Sequence, residues 1–253
     1  MGPPGADAEL SARFARPTWF FPSTDSTNDD AARLAGAGAP HGALVLAEAQ
    51  RAGRGRLGRS WCGAPGLDLL FSLVLRPDLP PERCPLLTLA AGAAVAETLD
   101  LQLKWPNDVV GRLGTAGVWH KVAGLLCELE VAEGRVRHVV LGIGINVNQE
   151  RFPADLPEAA SLLQIAGRRF DRIELLERLL PALDRRLRQV RDEPALVLAA
   201  WAAHSAMEGR RVRVGGIEGI AAGLRADGAL LLRDDEGRIT PVLAGDVRVA
   251  DGA

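Results

Sequence analysis

Cysteine is scarce in this sequence, and what there is does not pair. Three cysteines, at 62, 84 and 127, form no C-x-x-C and leave one over in any pairing, so a reduced, cytoplasmic compartment is expected. Histidine is equally thin. His41, His120, His138 and His204 are scattered without H-x-x-x-H or Cys/His spacing, which predicts no metal cage of protein side chains. No apolar run approaches the roughly 20 residues that cross a bilayer. The opening Met1-Gly2-Pro3-Pro4-Gly5 has no cationic segment leading into an apolar one, so no signal peptide is read. With a formal net charge of −2 there is no basic coat, which argues against general nucleic-acid binding. The nucleophile elbow G-x-S-x-G and a P-loop ending G-K-[ST] are both missing.

What is present begins with size. The 253 residues, 47% apolar and 25% charged, suffice for a soluble protein of one large domain, or one large and one small. The most informative run is Gly53-Arg54-Gly55-Arg56-Leu57-Gly58-Arg59. Its glycines let the backbone turn sharply and approach a ligand. Its guanidinium forks suit carboxylate and phosphate oxygens. The glycines also satisfy G-x-G-x-x-G, but a dinucleotide site needs a helix directly afterwards. The residues that follow, Ser60-Trp61-Cys62-Gly63-Ala64-Pro65-Gly66, are poor helix material, and the Rossmann reading fails.

Along the chain, the first dozen residues, rich in Gly, Pro and Ala, read as a frayed end, with 1–15 expected to be disordered. Strands are expected at Thr18–Phe21, Ala43–Glu48 and Leu67–Leu75, and a helix at Asp29–Ala37 with Ser or Thr as its cap. Pro85–Leu99 reads as a buried helix. Val122–Val131 and Val136–Val147 read as adjacent strands joined at Glu133-Gly134. Ile173, Leu176, Leu180, Leu183, Leu187 and Val190 mark one helix face, and a shorter helix follows Pro194. From Gly209 short apolar alternations (Val212/Val214, Ile220/Ala222/Leu224, Leu230/Leu232, Val247/Val249) predict a small β-barrel of about 45 residues, the low end of independent stability. The whole is α+β: a mixed sheet with flanking helices over residues 16–207, then an all-β module over 208–253.

Four further segments carry polar groups. Lys104-Trp105-Pro106-Asn107-Asp108 places a cation, an aromatic, an amide and a carboxylate on a stiff turn, or is an ordinary turn with a packed tryptophan. Lys121 opens an apolar strand and is either solvated or functional; Gly124 inside that strand marks close approach of a ligand or backbone. In Gly142-Ile143-Gly144-Ile145-Asn146-Val147-Asn148, tight packing explains the glycines but not the asparagines. Ser26-Thr27-Asn28 is accounted for by a helix cap. Glu48 and Gln50 end a strand, a usual place for ligand contacts.

In this order, Ser26-Thr27-Asn28, Gln50 with Gly53 to Trp61, Lys104 to Asp108, Lys121-Val122-Ala123-Gly124-Leu125-Leu126 and Gly142 to Asn148 resemble the biotin protein ligases. The resemblance runs from about residue 20 to 150. The end Ala244-Gly245-Asp246-Val247 resembles that family's small SH3-like domain. The resemblance implies a class II synthetase-like catalytic domain that joins biotin to ATP as biotinyl-5′-AMP, with Mg2+ on the triphosphate. The biotin then passes to a lysine of a biotin carboxyl carrier domain. It implies that Ser26, Thr27, Asn28, Gln50, Gly53 and Gly124 hold biotin, and that Arg54 and Arg56 close over biotin and adenylate. Lys121, with Arg56, would act on the reacting carboxylate and phosphate. Arg59, Trp61, Lys104, Asn107 and Asn146 would serve the nucleotide, with Arg54.

Two departures stand out. Lys104 and Lys121 are 17 positions apart, a longer connection than the family's usual one, with an insert at Gly111–Trp119, and His120 precedes the lysine. Only 25 residues precede Ser26, too few for a winged helix, so a ligase without DNA-binding function is expected, monomer or homodimer. A lipoate or octanoyl ligase or transferase of the same superfamily is the nearest alternative. A nucleic-acid-binding module using the arginine loop is the distant one.

Overall fold

The computed structural model describes residues 5–114 and 118–249. The first half of the chain gives α1 (Ala8–Phe14), β1 (Thr18–Phe21), α2 (Thr27–Gly36), β2 (Leu44–Ala47), β3 (Leu69–Leu75), α3 (Pro85–Leu99), β4 (Gln102–Lys104), β5 (Asp108–Arg112) and β6 (Trp119–Ala132). There follow β7 (Arg135–Ile145), α4 (Leu162–Ala166), α5 (Arg172–Asp192), α6 (Pro194–Ala203), β8 (Arg211–Val214), β9 (Ile217–Leu224), β10 (Leu230–Arg233), β11 (Ile239–Val242) and β12 (Val247–Val249). They divide into two compact units, Met1–Pro81 with Gly111–Arg178 and Glu82–Val110 with Leu179–Ala253. This division cuts across the boundary at 207/208 expected from the sequence.

In the first unit, β1, β2, β3, β7 and β6 lie side by side in that order. Only β1 and β2 run parallel; the other pairs are antiparallel, so the sheet is mixed. All seven residues of β3 are buried, as a strand covered on both faces must be. Ala31, Leu34 and Ala35 of α2 pack in one cluster with Val45, Val74 and Val140 from β2, β3 and β7. The β6–β7 hairpin turns on Glu133 (φ 53°) and Gly134 (φ 72°), the left-handed pair that a two-residue loop between twisted strands requires.

The N-terminus departs from expectation. Ala8–Phe14 is a helix rather than a frayed end. Asp7 Oδ1 accepts from Leu10 N at 2.9 Å, satisfying one of the otherwise unpaired N-terminal donors, and Phe14 is buried. Arg13 then reaches Glu177 at 2.7 Å. One cap and one aromatic anchor outweigh the local composition. Residues 1–4 of the expected disordered end, and 115–117 of the insert, lie outside the described residues.

The second unit is built around α3, whose side chains are buried on every side from Leu89 to Ala96. Helix α6 packs against it. The predicted stripe of α5 is buried at Leu176, Leu180, Leu183 and Val190, and widened by Leu175 and Leu179. The C-terminal strands form an antiparallel sheet in the order β11-β10-β9-β8-β12. In β9 the buried positions are Gly219 and Ala221, one residue out of phase with the alternation Ile220, Ala222, Leu224. Two local features account for this. The β9–β10 register shifts by one residue between Leu230 and Leu232, and a Cβ on Gly219 would stand 2.8 Å from the Arg233 carbonyl.

Trp105, in the turn between β4 and β5, is buried and donates from Nε1 to the Gly228 carbonyl at 3.0 Å. Trp105→Phe removes that donor and leaves the carbonyl unpaired, at a cost of about 1–3 kcal/mol. A thermal melt is expected to fall by roughly 2–4 °C per kcal/mol for a chain of this size. A melt unchanged within about 1 °C would show the bond to be replaceable by water.

Candidate active site

At the centre of the sheet of the first unit, three glycines share one face. Gly142 pairs with Ser72 on β3 and with Leu126 on β6; two residues on, Gly144 pairs with Leu70 and with Gly124. Residues two apart in a strand face the same side, so these glycines open one face of the sheet. That space is used. A Cβ on Gly142 would meet Asn28 Oδ1 at 2.1 Å, and one on Gly144 would meet the Trp61 indole at 2.4 Å. A Cβ on Gly124 would stand 2.7 Å from the same indole and 3.1 Å from Lys121 Nζ.

One wall is the start of α2. Ser26 caps the helix, accepting from Asn28 N at 3.3 Å, and Ser26, Thr27 and Asn28 are all buried. Gln50 Oε1 accepts from Thr27 N at 2.7 Å and from Thr27 Oγ1 at 2.9 Å. Ser72 Oγ, with one proton to share, lies 2.8 Å from Thr27 Oγ1 and 2.7 Å from Asn28 Oδ1. The cap motif is therefore more than a cap: its side chains are linked across the sheet to Gln50 and Ser72. Glu48 faces elsewhere and pairs with Arg172 at 2.8 Å.

The arginine loop is a closed hairpin-like arch. Arg54 bridges Ser60, Gly55 N donates to Arg59 O at 2.6 Å, and Trp61 N donates to Gly53 O at 2.8 Å. A Cβ on Gly53 would stand 2.7 Å from the Trp61 carbonyl, which is why the arch closes so tightly there. At its tip Leu57 is left-handed (φ 56°) and 72% exposed. Arg54 donates to Asp29 Oδ1 and to both oxygens of Glu128, at 3.0 and 2.8 Å. Burial works to lower the Arg54 pKa, but the bonds to Glu128 and Asp29 outweigh it and hold the guanidinium above its ordinary value. Past Trp61 the chain is pinned by the buried Asp68, which accepts from Ala64 N at 2.8 Å, Val147 N at 3.1 Å and the Gln149 amide. Burial pushes the Asp68 carboxyl up despite these donors.

Lys121 stands at the mouth of β6, with Nζ 5.5 Å from the centroid of the Trp61 ring. Its backbone is fixed by 158–160: Lys121 N donates to Glu158 O at 2.6 Å, and Ala160 N to Lys121 O at 2.9 Å. The Asn146 amide donates to Ala160 O at 3.1 Å and to Lys121 O at 3.4 Å, bracing the same junction. Asn148 exchanges two bonds with the Phe170 backbone. The Trp61 Nε1 donor is buried and finds no acceptor among the described residues. The arrangement gathers amide and hydroxyl groups from α2, Gln50 and Ser72, cations from the loop and Lys121, and the Trp61 indole over Gly124 and Gly144.

A family model described as the biotin/lipoate A/B protein ligase family matches residues 20–146. The chain belongs to this family. It is 35% identical to the bifunctional ligase/repressor BirA of Bacillus subtilis, the match spanning 97% of this chain and 80% of that protein. It is 39% identical to the biotin–[acetyl-CoA-carboxylase] ligase of Mycobacterium tuberculosis, over 88% of this chain and 85% of that one. Among solved structures it resembles the biotin protein ligase of Aquifex aeolicus in complex with biotin and ATP. There the TM-score is 0.75 and the identity 30%, covering 93% of this chain and 99% of that one.

Of the residues singled out from sequence, the first unit of this family member brings together Ser26, Thr27, Asn28, Gln50, Gly53, Arg54, Trp61, Lys121, Gly124 and Asn146. Arg56 and Arg59 lie in the same arch. Lys104 and Asn107 belong to the second unit. Sequence reasoning passes over Ser72, Asp29 and Glu128. Ser72 does leave a signal: it is the only polar residue in Leu69–Leu75. No group of three or more His, Cys, Asp or Glu placed to hold a metal ion occurs among the described residues.

Proposed function

We propose that this chain is a biotin protein ligase that forms biotinyl-5′-AMP from biotin and ATP and transfers the biotin to a lysine of a carboxyl carrier domain. The observation that carries the reading is Lys121, held by its backbone with its ammonium beside Gly124 and the Trp61 ring that ends the arginine arch. A biotin carboxylate oxygen attacks the α-phosphorus of ATP, the bond to pyrophosphate breaks, and a mixed anhydride forms. The carrier lysine amine then attacks the biotinyl carbonyl, the amide forms and AMP leaves. Unit charges 4 Å apart repel by ~4 kcal/mol at an effective dielectric of 20. Bringing two anions together therefore calls for fixed cations, and Lys121 and the arch supply them. Thr27, Asn28, Gln50 and Ser72 suit the polar end of a ring ligand that would take the place over Gly124 and Gly144 now filled by the Trp61 indole. Lys104 and Asn107 are assigned to the nucleotide on resemblance alone. Mg2+ is assigned to the triphosphate, where it would lower the charge the arch must offset.

The relative named above as a biotin–[acetyl-CoA-carboxylase] ligase, with the solved structure named as a biotin protein ligase, favours biotin over lipoate. Residues 16–207 are assigned the catalytic role and 208–253 the SH3-like one, the latter supported by the five-stranded antiparallel sheet. Among the described residues no helix is long and apolar enough to cross a membrane. The reading extends to a cytoplasmic enzyme. Incubation with biotin, ATP and Mg2+ but no carrier is expected to yield biotinyl-AMP by mass spectrometry, and lipoate in place of biotin to yield no lipoyl-AMP. Lipoyl-AMP alone would transfer the reading to the lipoate branch.

A further inference from the structure

We propose that Glu128 and Asp29 are positioning residues that hold the arginine arch closed through Arg54, and that Arg54 acts on the arch rather than on the ligand. The inference rests on the ligase reading, which it deepens. Arg54 sits at the base of the arch, at its bridge to Ser60, not at the tip. Its Nη2 donates to both Glu128 oxygens and its Nη1 to Asp29. Two carboxylates there grip one guanidinium. Such a cluster is a poor anchor for phosphate and a good one for an arginine.

The contacts also run inward. Glu128 Oε2 accepts from Asn28 Nδ2 at 2.6 Å, and Asn28 Oδ1 takes up the Ser72 hydroxyl at 2.7 Å. Ser72 in turn touches Thr27, and Thr27 is fixed by Gln50. Glu128 is therefore the joint between the arch and the pocket wall. A ligand that engages Asn28 or Thr27 stiffens the carboxylate that Arg54 grips. Arch closure and occupancy of the site are coupled through that one side chain.

The test uses Glu128→Gln, which keeps the shape and removes the charge. Asp29→Asn is less clean, because Asp29 also serves the first turn of α2. Preformed biotinyl-AMP is chased off the wild type, Glu128→Gln, Arg54→Gln and the double variant. The Arg54 and Glu128 side chains are both 41% exposed, so a modest effect is expected, each single variant releasing adenylate about five-fold faster. The double variant is expected to match Arg54→Gln alone, since Arg54→Gln already breaks the contact with Glu128. Chymotrypsin cleavage after Leu57 in the ligand-free protein should rise in step, with the thermal midpoint within about 2 °C of wild type. Unchanged release from Glu128→Gln overturns the proposal. So do single effects that multiply in the double variant, which would place Arg54 on the adenylate itself. A wild type that forms no biotinyl-AMP refutes the ligase reading instead, and the cleavage assay still reports on the latch.

Discussion

Lys121→Ala is expected to slow biotinyl-AMP formation about 10³-fold while the protein stays folded. The figure follows from removing one cation next to two anions, ~4 kcal/mol at 4 Å and an effective dielectric of 20, with each 1.4 kcal/mol worth a factor of ten. It agrees with the 10²- to 10³-fold that loss of one fixed donor at a developing charge usually costs. The fold is spared because Lys121 is held by its backbone: the bonds to Glu158 and Ala160, and the Asn146 brace on its carbonyl, survive truncation of the side chain. Truncation does remove the cation that Nζ sets beside the Trp61 ring. Single-turnover measurement of adenylate, without carrier, isolates the step. A rate within about ten-fold of wild type would move the chemistry to another cation.

Gly144→Ala should weaken biotin binding roughly 10- to 100-fold with little loss of stability, whereas Gly142→Ala should destabilise the protein by about 1–3 kcal/mol, the usual cost of overpacking. Both positions lie on one face of β7, and both new methyls collide, at 2.4 Å with Trp61 and at 2.1 Å with Asn28 Oδ1. What differs is the neighbour. Trp61 is half-buried at the end of the arch, so a shift of the arch can relieve the clash. Asn28 is built into α2 and held by Ser72 and Glu128, so the helix must lift off the sheet. Isothermal titration with biotin and a thermal melt of each variant separate the two effects. Equal loss of stability in both would show that Trp61 is as firmly seated as α2.

Much of this architecture is legible in local pattern. Pro85–Leu99 begins and ends where its proline and its apolar composition place it, and the β6–β7 hairpin turns on Glu133-Gly134. The polar segments of the site are visible for the same reason: an amide, lysine or paired glycine inside an apolar strand is locally out of place. What local pattern hides is non-local. Asp29 and Glu128 look like a helix-dipole residue and an ordinary strand carboxylate, because their partner Arg54 is 25 and 74 positions away. The phase of β9 does not follow its own alternation, because a bulge against its neighbour decides which residues turn inward. The terminal helix is invisible to composition because a single aspartate and phenylalanine overrule a glycine- and proline-rich context.

The two compact units are each assembled from separated stretches of chain, and this bears on how the protein can be divided. The C-terminal sheet shares its unit with Glu82–Val110, where Trp105 binds the Gly228 carbonyl and Leu86 and Leu89 crowd the Gly228 α-carbon. Cutting at residue 208 therefore severs a continuous interior, stranding an apolar helix and a tryptophan. A chimera between relatives would have to exchange the 82–110 excursion together with the tail. The last strands are in this sense the second instalment of a module that the chain began to build more than a hundred residues earlier.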